Sequence, residues 1–223
     1  MFANRRSAGR QLCARLQHLR QERPVVLALP RGGVPVGFEI AEDLDAPLDI
    51  VLVCKIGAPD QPELALGAVA DGADPQISIS SDLAATLGVD AAYIKNETAR
   101  QLDEIERRRK IYRGDRPPVP LAGRTAIVVD DGIATGSTMR AALRAIRKAG
   151  AGKIVLAVPV APGDAIETLR NEADEIVCLA TPRRFFAVGA HYTEFTQLAD
   201  ADVVSLLERR RRSTTPPEGS APT

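Results

Sequence analysis

The stretch Ile127-Val128-Val129-Asp130-Asp131-Gly132-Ile133-Ala134-Thr135-Gly136-Ser137-Thr138 leaves this chain few folds to choose from. It opens as a short apolar run rich in β-branched residues, the signature of a strand buried on both faces of a parallel sheet. Two carboxylates end the run. From Gly136 the period becomes helical, with Met139, Ala142, Leu143, Ile146 and Ala149 on one face, Arg147 and Lys148 in the last turn and Gly150 as the stop. A polar loop thus lies where a strand's carboxyl end meets a helix N-terminus, which is where open α/β sheets bind ligands.

The residue types in the loop suggest its chemistry. Gly132 and Gly136 allow close backbone approach, and Thr135, Ser137 and Thr138 add hydroxyls around amides that have no helical partner, a cradle for a phosphate dianion. Asp130 and Asp131 would repel a phosphate but suit two sugar hydroxyls or a hydrated magnesium ion. A ribose 5-phosphate fits that layout, and both carboxylates are expected to project into solvent at the crevice. A Gly-x-x-x-x-Gly-Lys-[Ser/Thr] run and a Gly-x-Gly-x-x-Gly run are both absent, which argues against a Walker-type site and a dinucleotide fingerprint.

Val128 to Thr138 resembles the 5-phosphoribosyl 1-pyrophosphate (PRPP) motif of the type I phosphoribosyltransferases. That family places two acidic residues after a hydrophobic strand and follows them with Thr-Gly-Ser/Thr-Thr. Val25 to Leu29 is a second buried strand, running into Pro30-Arg31-Gly32-Gly33-Val34-Pro35 and then a helix over Val36 to Leu44. This turn resembles the family's pyrophosphate-binding loop, in which the peptide preceding the first glycine is often cis. The likeness extends to Asn4-Arg5-Arg6-Ser7-Ala8-Gly9-Arg10, to Lys55 through Val69 and to a late aromatic segment, and points to a less-studied branch of the family.

Asp49 to Cys54 reads as a third strand, ending in Lys55 at the edge facing the acidic pair. From Lys55 to Val69 two prolines and a glycine lie within a few residues, so a lid without regular structure is expected there. Gly67 to Ala70 and Gln76 to Ile79, joined by residues 71–75, look like a hairpin. Helices are expected over Ala8 to Leu19 and Ala91 to Tyr112. In the second of these, Asp103, Glu104 and Glu106 stand four residues before Arg107, Arg108 and Lys110, so the basic run reads as a solvated face. Lys153 to Val160 and Glu175 to Ala180 add strands around a helix ending at Arg170, and their alternation predicts right-handed crossovers in a parallel sheet.

The aromatic residues are concentrated in Thr181 to Gln197, which breaks the strand-helix alternation. The segment is either core packing or a flap stacking on a planar base, the latter matching the family's hood. A closing helix is expected over Asp200 to Arg210, and the basic and Ser-Thr-Pro-Gly tail has nothing to bury. The domain is therefore drawn as residues 1–208, with a hood mainly at 181–198 and a disordered tail at 209–223.

The rest of the composition excludes more than it suggests. Of 223 residues the formal net charge is zero, which gives nucleic acid no electrostatic hold. Cys13, Cys54 and Cys178 stand singly and read as reduced thiols, and His18 and His191 offer too few ligands for structural zinc. No leader and no membrane-length apolar run is read in the chain, so a soluble, cytoplasmic protein is expected.

The resemblance implies an α/β fold with a mostly parallel twisted sheet of about five strands flanked by helices and a small hood. It implies transfer of a 5-phosphoribosyl group from PRPP to a nitrogenous base, in nucleotide metabolism, with loss of pyrophosphate and with Mg2+ bridged through PRPP. By that likeness Asp130 and Asp131 anchor the ribose, with a share in holding the metal, and Ala134, Thr135, Gly136, Ser137 and Thr138 bind the 5-phosphate. Arg31, Gly32, Gly33 and Lys55 would face the pyrophosphate, and Phe185, Phe186 and Tyr192 the base. Asp131, Lys55 and Arg31 are the candidate catalytic side chains. Two other classes stay open, a non-catalytic PRPP or nucleotide sensor and a ribosyl-phosphate hydrolase. The acceptor and a homo-oligomer are also left open.

Overall fold

A computed structural model of the chain describes residues 1–72 and 75–214. Helix α1 (Arg5–Leu16) starts where Asn4 accepts a hydrogen bond from Ser7 N at 3.0 Å, three residues ahead of the expected start, and a 3-10 turn over Gln17–Glu22 follows it. Strand β1 (Val25–Ala28) is buried throughout and leads to α2 (Gly33–Leu44). Pro35 falls inside the first turn of α2, where its missing N–H costs no helical bond, so the helix begins earlier than the proline suggested. β2 (Leu48–Ile50) is short.

The chain then leaves the main sheet. β3 (Val53–Ala58), β4 (Gln61–Ala70) and β5 (Gln76–Ile79) form a separate antiparallel sheet in that order. This corrects the expected irregular lid from Lys55 to Val69. Pro59 falls in the turn, Asp60 takes a positive φ of 58° beside it, and register shifts on either side of Gly57 absorb the irregularity, so ladder pairing survives the breakers. The expected pairing of Gly67 to Ala70 with Gln76 to Ile79 is present, and part of its connection lies outside the described residues.

α3 (Ser81–Thr86) and α4 (Ala91–Arg113) follow. α4 is capped by Asp90, which accepts from Tyr93 N at 2.6 Å, and is closed by Gly114. Of the basic run, Arg107 and Arg108 both pair with Glu104, at 2.7 and 2.6 Å, and Lys110 reaches Glu106 at 3.6 Å.

The remaining elements are β6 (Thr125–Val129), α5 (Ser137–Lys148), β7 (Lys153–Val160), α6 (Gly163–Leu169), β8 (Glu175–Ala180) and α7 (Asp200–Thr214). Among the described residues the main sheet has five strands in the order β2-β1-β6-β7-β8, every pair parallel. Alternation along these strands feeds two cores. Val26, Ala28, Ile127, Val129, Val155 and Ala157 meet α1, α2 and α7, while Leu27, Val128, Leu156 and Val158 meet α5 and α6. Among the described residues no helix is long and apolar enough to cross a membrane.

α7 corrects the expected start of the tail. Arg210 is only 3% exposed, donating to Ala46 O at 2.9 Å and to Asp45 Oδ1 at 2.8 Å, and it also pairs with Glu42. Helix α7 therefore runs on through residues 209–214 with Arg210 packed into the domain, and the rest of the expected tail lies outside the described residues.

Candidate functional site

β1 connects through α2 to β2 on one side, and β6 connects through α5 to β7 on the other, so the sheet changes direction between β1 and β6. The crevice at their carboxyl ends is the topological switch point. Two loops meet there. Leu29 N donates to Val129 O and Gly33 N to Leu29 O, both at 2.9 Å, holding the Arg-Gly-Gly turn against the end of β6. A cis peptide joins Pro30 to Arg31, one bond ahead of the peptide entering Gly32.

The fit between the loops is tight. A Cβ on Gly32 would stand 2.1 Å from Asp131 Oδ2, and one on Gly33 would stand 2.6 Å from Val129 O. Only glycine allows so close an approach.

The acidic pair is more enclosed than expected. Asp130 Oδ1 accepts from Asp131 N at 2.8 Å, and Asp131 Oδ2 accepts from Arg5 Nε at 2.7 Å, with side-chain exposures of 11% for Arg5 and 13% for Asp131. The expectation that both carboxylates project into solvent is thus corrected: Gly32 and Arg5 close in on Asp131, which shares a cavity with residues 195–198, and Asp130 is half-buried beside Gly33. Burial pushes the Asp130 carboxyl well above the ordinary range, and the adjacent Asp131 charge adds to it. Asp131 is also raised by burial, although the Arg5 hydrogen bond and charge oppose the shift.

Beyond the pair, Ile133 N donates to Val160 O at 2.9 Å and fixes the loop to β7. Gly136 has φ +79°, a conformation suited to glycine, and sets up the first turn of α5. The bond from Arg140 N to Gly136 O at 2.8 Å is the first of that helix, so the amides just ahead of it have no helical acceptor. Thr135 Oγ1 lies 3.2 Å from Ser137 Oγ, and Ala134 and Thr135 are exposed, giving a cradle of amides and hydroxyls open to solvent.

Arg31 is at the same mouth, with Nη1 donating to Leu198 O at 2.7 Å. Lys55 is not at the carboxyl end of a main-sheet strand, as expected, but inside β3 opposite Ala68. Tyr192 is buried, and its hydroxyl donates to Asp131 O at 2.5 Å, so it props the acidic loop from behind and presents no free ring face for a base. Phe185 stacks on His191 with centroids 5.2 Å apart, whereas Phe186 is 86% exposed.

Sequence reasoning missed the N-terminal arm. Phe2 N donates to His191 O at 2.9 Å and Thr193 N to Phe2 O at 2.8 Å, joining the first residues to the late aromatic segment. The Arg5 guanidinium lies 3.8 Å from the Phe195 ring centroid and donates through Nη1 to Thr196 O at 2.8 Å. The available signal was the run Asn4 to Arg10, noted for its resemblance and given no role.

For magnesium the donor set is limited but suitable. Among the described residues no group of three or more His, Cys, Asp or Glu side chains could hold an ion by itself. Asp130 and Asp131 offer adjacent oxygens of the kind magnesium takes when substrate phosphates and water complete its shell.

A family model described as the phosphoribosyl transferase domain matches residues 8–194. Two Mycobacterium tuberculosis proteins, from strains CDC 1551 and H37Rv and each named "Putative phosphoribosyl transferase", are 49% identical over 212 residues, covering 95% of this chain and 47% of each relative. The chain thus spans about half the length of the curated relatives it matches. Among solved structures, TT1426 from Thermus thermophilus shares 44% identity at a TM-score of 0.80, covering 94% of this chain and 98% of that one.

Proposed function

The chain belongs to the phosphoribosyl transferase domain family, and from that premise we propose that it moves a 5-phosphoribosyl group from PRPP to a ring nitrogen of an acceptor base. In this reaction the bond between the nitrogen and the anomeric carbon forms as the bond from that carbon to pyrophosphate breaks. Pyrophosphate leaves with the bonding electron pair, and the base gives up its N–H proton.

One observation carries the proposal: the Arg-Gly-Gly turn and the Asp-Asp loop meet at the switch point, with the Gly32 Cα against the Asp131 carboxylate. The sugar would then sit between a phosphate cradle and a pyrophosphate turn. Ala134 through Thr138 hold the 5-phosphate on amides and hydroxyls, Asp130 and Asp131 accept from the ribose hydroxyls, and Arg31, Gly32 and Gly33 face the pyrophosphate. Asp130 and Asp131 are the residues that would hold a magnesium ion brought with the substrate, which would supply Lewis-acid stabilisation of the departing charge. With an oxocarbenium-like transition state the side chains need to align and shield the sugar, and no covalent nucleophile is called for. The hood in this reading is the 181–198 segment together with the N-terminal arm, and Phe186 is the ring free to meet a base.

Calorimetric titration with PRPP and magnesium, comparing the natural chain with the Asp130→Asn/Asp131→Asn variant, tests the assignment. Near-complete loss of binding with the fold retained is expected, and equal affinity would remove the acidic pair from the site. Pyrophosphate release across a panel of bases completes the test. Binding without turnover would indicate a sensor, and release without any base a hydrolase.

A further inference from the structure

We propose that Arg5 is a second guanidinium of the pyrophosphate subsite, beside Arg31, an inference that rests on the reading above. Arg5 and Arg31 line one cavity of about 320 Å³, bounded also by Gly32, Asp131, Phe195 and Thr196. Its wall therefore carries two guanidinium groups against one carboxylate, a net positive lining that suits a polyanion. The pyrophosphate turn contributes two of these lining residues, whereas the loop from Ala134 to Thr138 contributes none, so the cavity lies on the pyrophosphate side of the sugar.

Arg5 is held as a preorganised donor. Its Nε is bound to Asp131 and its Nη1 to the Thr196 carbonyl, while Phe195 covers one face of the guanidinium. Nη2 has no hydrogen-bond partner among the described residues. A side chain fixed on so many sides loses little further freedom when it takes up an oxyanion, and a planar fork matches phosphoryl oxygens better than a point charge does. The competing role is a strut that only ties α1 to Asp131. A strut would act on the sugar through Asp131 and would be indifferent to whether the ligand carries a pyrophosphate.

That difference sets the experiment. PRPP, inorganic pyrophosphate and ribose 5-phosphate, each with magnesium, are titrated into the natural chain and into Arg5→Gln and Arg5→Lys, with thermal unfolding recorded for each. The Gln change is expected to weaken PRPP and pyrophosphate about tenfold or more and to leave ribose 5-phosphate within about twofold, with Lys in between. If the Gln variant melts early, the Lys variant carries the same comparison. Parallel weakening of PRPP and ribose 5-phosphate would make Arg5 a strut, and unchanged PRPP affinity would remove it from the site. Failure of the natural chain to bind either sugar phosphate would overturn the underlying reading itself.

Discussion

Gly32 and Asp131 are packed so closely that a methyl group on Gly32 would lie 2.1 Å from Oδ2 of the carboxylate. The two residues come from different strand ends, and their contact leaves no room for a side chain at position 32. Gly32→Ala is therefore expected to push the Asp131 side chain off Arg5 and lower PRPP affinity about tenfold or more, at a stability cost of about 1–3 kcal/mol. Gly33→Ala meets backbone at Val129 and Asp130, which cannot swing aside, and should cost more stability. Chemical denaturation alongside the binding titration separates the two effects, and a Gly32→Ala variant with natural affinity would contradict the contact.

Asp130 gives a pH signature. Burial, reinforced by Asp131, raises its carboxyl in the folded state, so folding favours the protonated form. Stability from this group is complete below the unfolded value of about 4 and is lost as pH rises through the raised folded value. Asp130→Asn keeps an oxygen for the Asp131 amide and removes the buried charge. It should melt higher than the natural chain at neutral and alkaline pH while failing to bind PRPP, and a lower melting point there would refute the account.

The buried and exposed rings of the late segment should behave oppositely. Tyr192→Phe removes the hydroxyl that supports the Asp131 carbonyl and should cost about 1 kcal/mol of stability. Phe186→Ala removes a ring that is 86% exposed and should leave stability within about 0.5 kcal/mol. If Phe186 is the base platform, its removal raises KM for the acceptor and leaves PRPP affinity alone, a split that steady-state kinetics reads directly.

Acid stability should report α4. Hydrogen bonds from Arg107 and Arg108 pull the Glu104 carboxyl from 4.5 down to about 2, against the effect of partial burial. A depressed acid contributes stability above its unfolded value and loses it as pH falls towards the folded one. Glu104→Gln should lower stability near neutral pH and flatten the acid limb of the stability curve between those two values. A curve that keeps its acid slope would show that the pairing does not matter in solution.

Much of the architecture was legible because it is written locally. The β6 strand, its two terminal carboxylates and the glycine-punctuated start of α5 are contiguous, so periodicity and residue type alone placed the acidic pair at the strand's end and the loop ahead of the helix. What sequence reasoning missed depends on distance or on compensation. Arg5 and Asp131 lie 126 positions apart, and no local pattern joins them. Gly57, Pro59 and Pro62 read as breakers, yet turn placement and a bulge let β3 and β4 pair through them. Arg210 sits in a run that reads as solvated, and only the folded chain shows acceptors from residues 42–46 converging on it.

The stitching of Phe2 to His191 and Thr193 also governs when the pocket can first exist. A chain emerging from the ribosome can pair β1 with β6 well before residues 192–198 have been made, but its crevice then lacks a roof. Vectorial synthesis should therefore yield a scaffold first and a binding-competent molecule only once residues 192–198 have emerged, and stalled nascent chains cut before residue 190 should fold a sheet and capture no sugar phosphate.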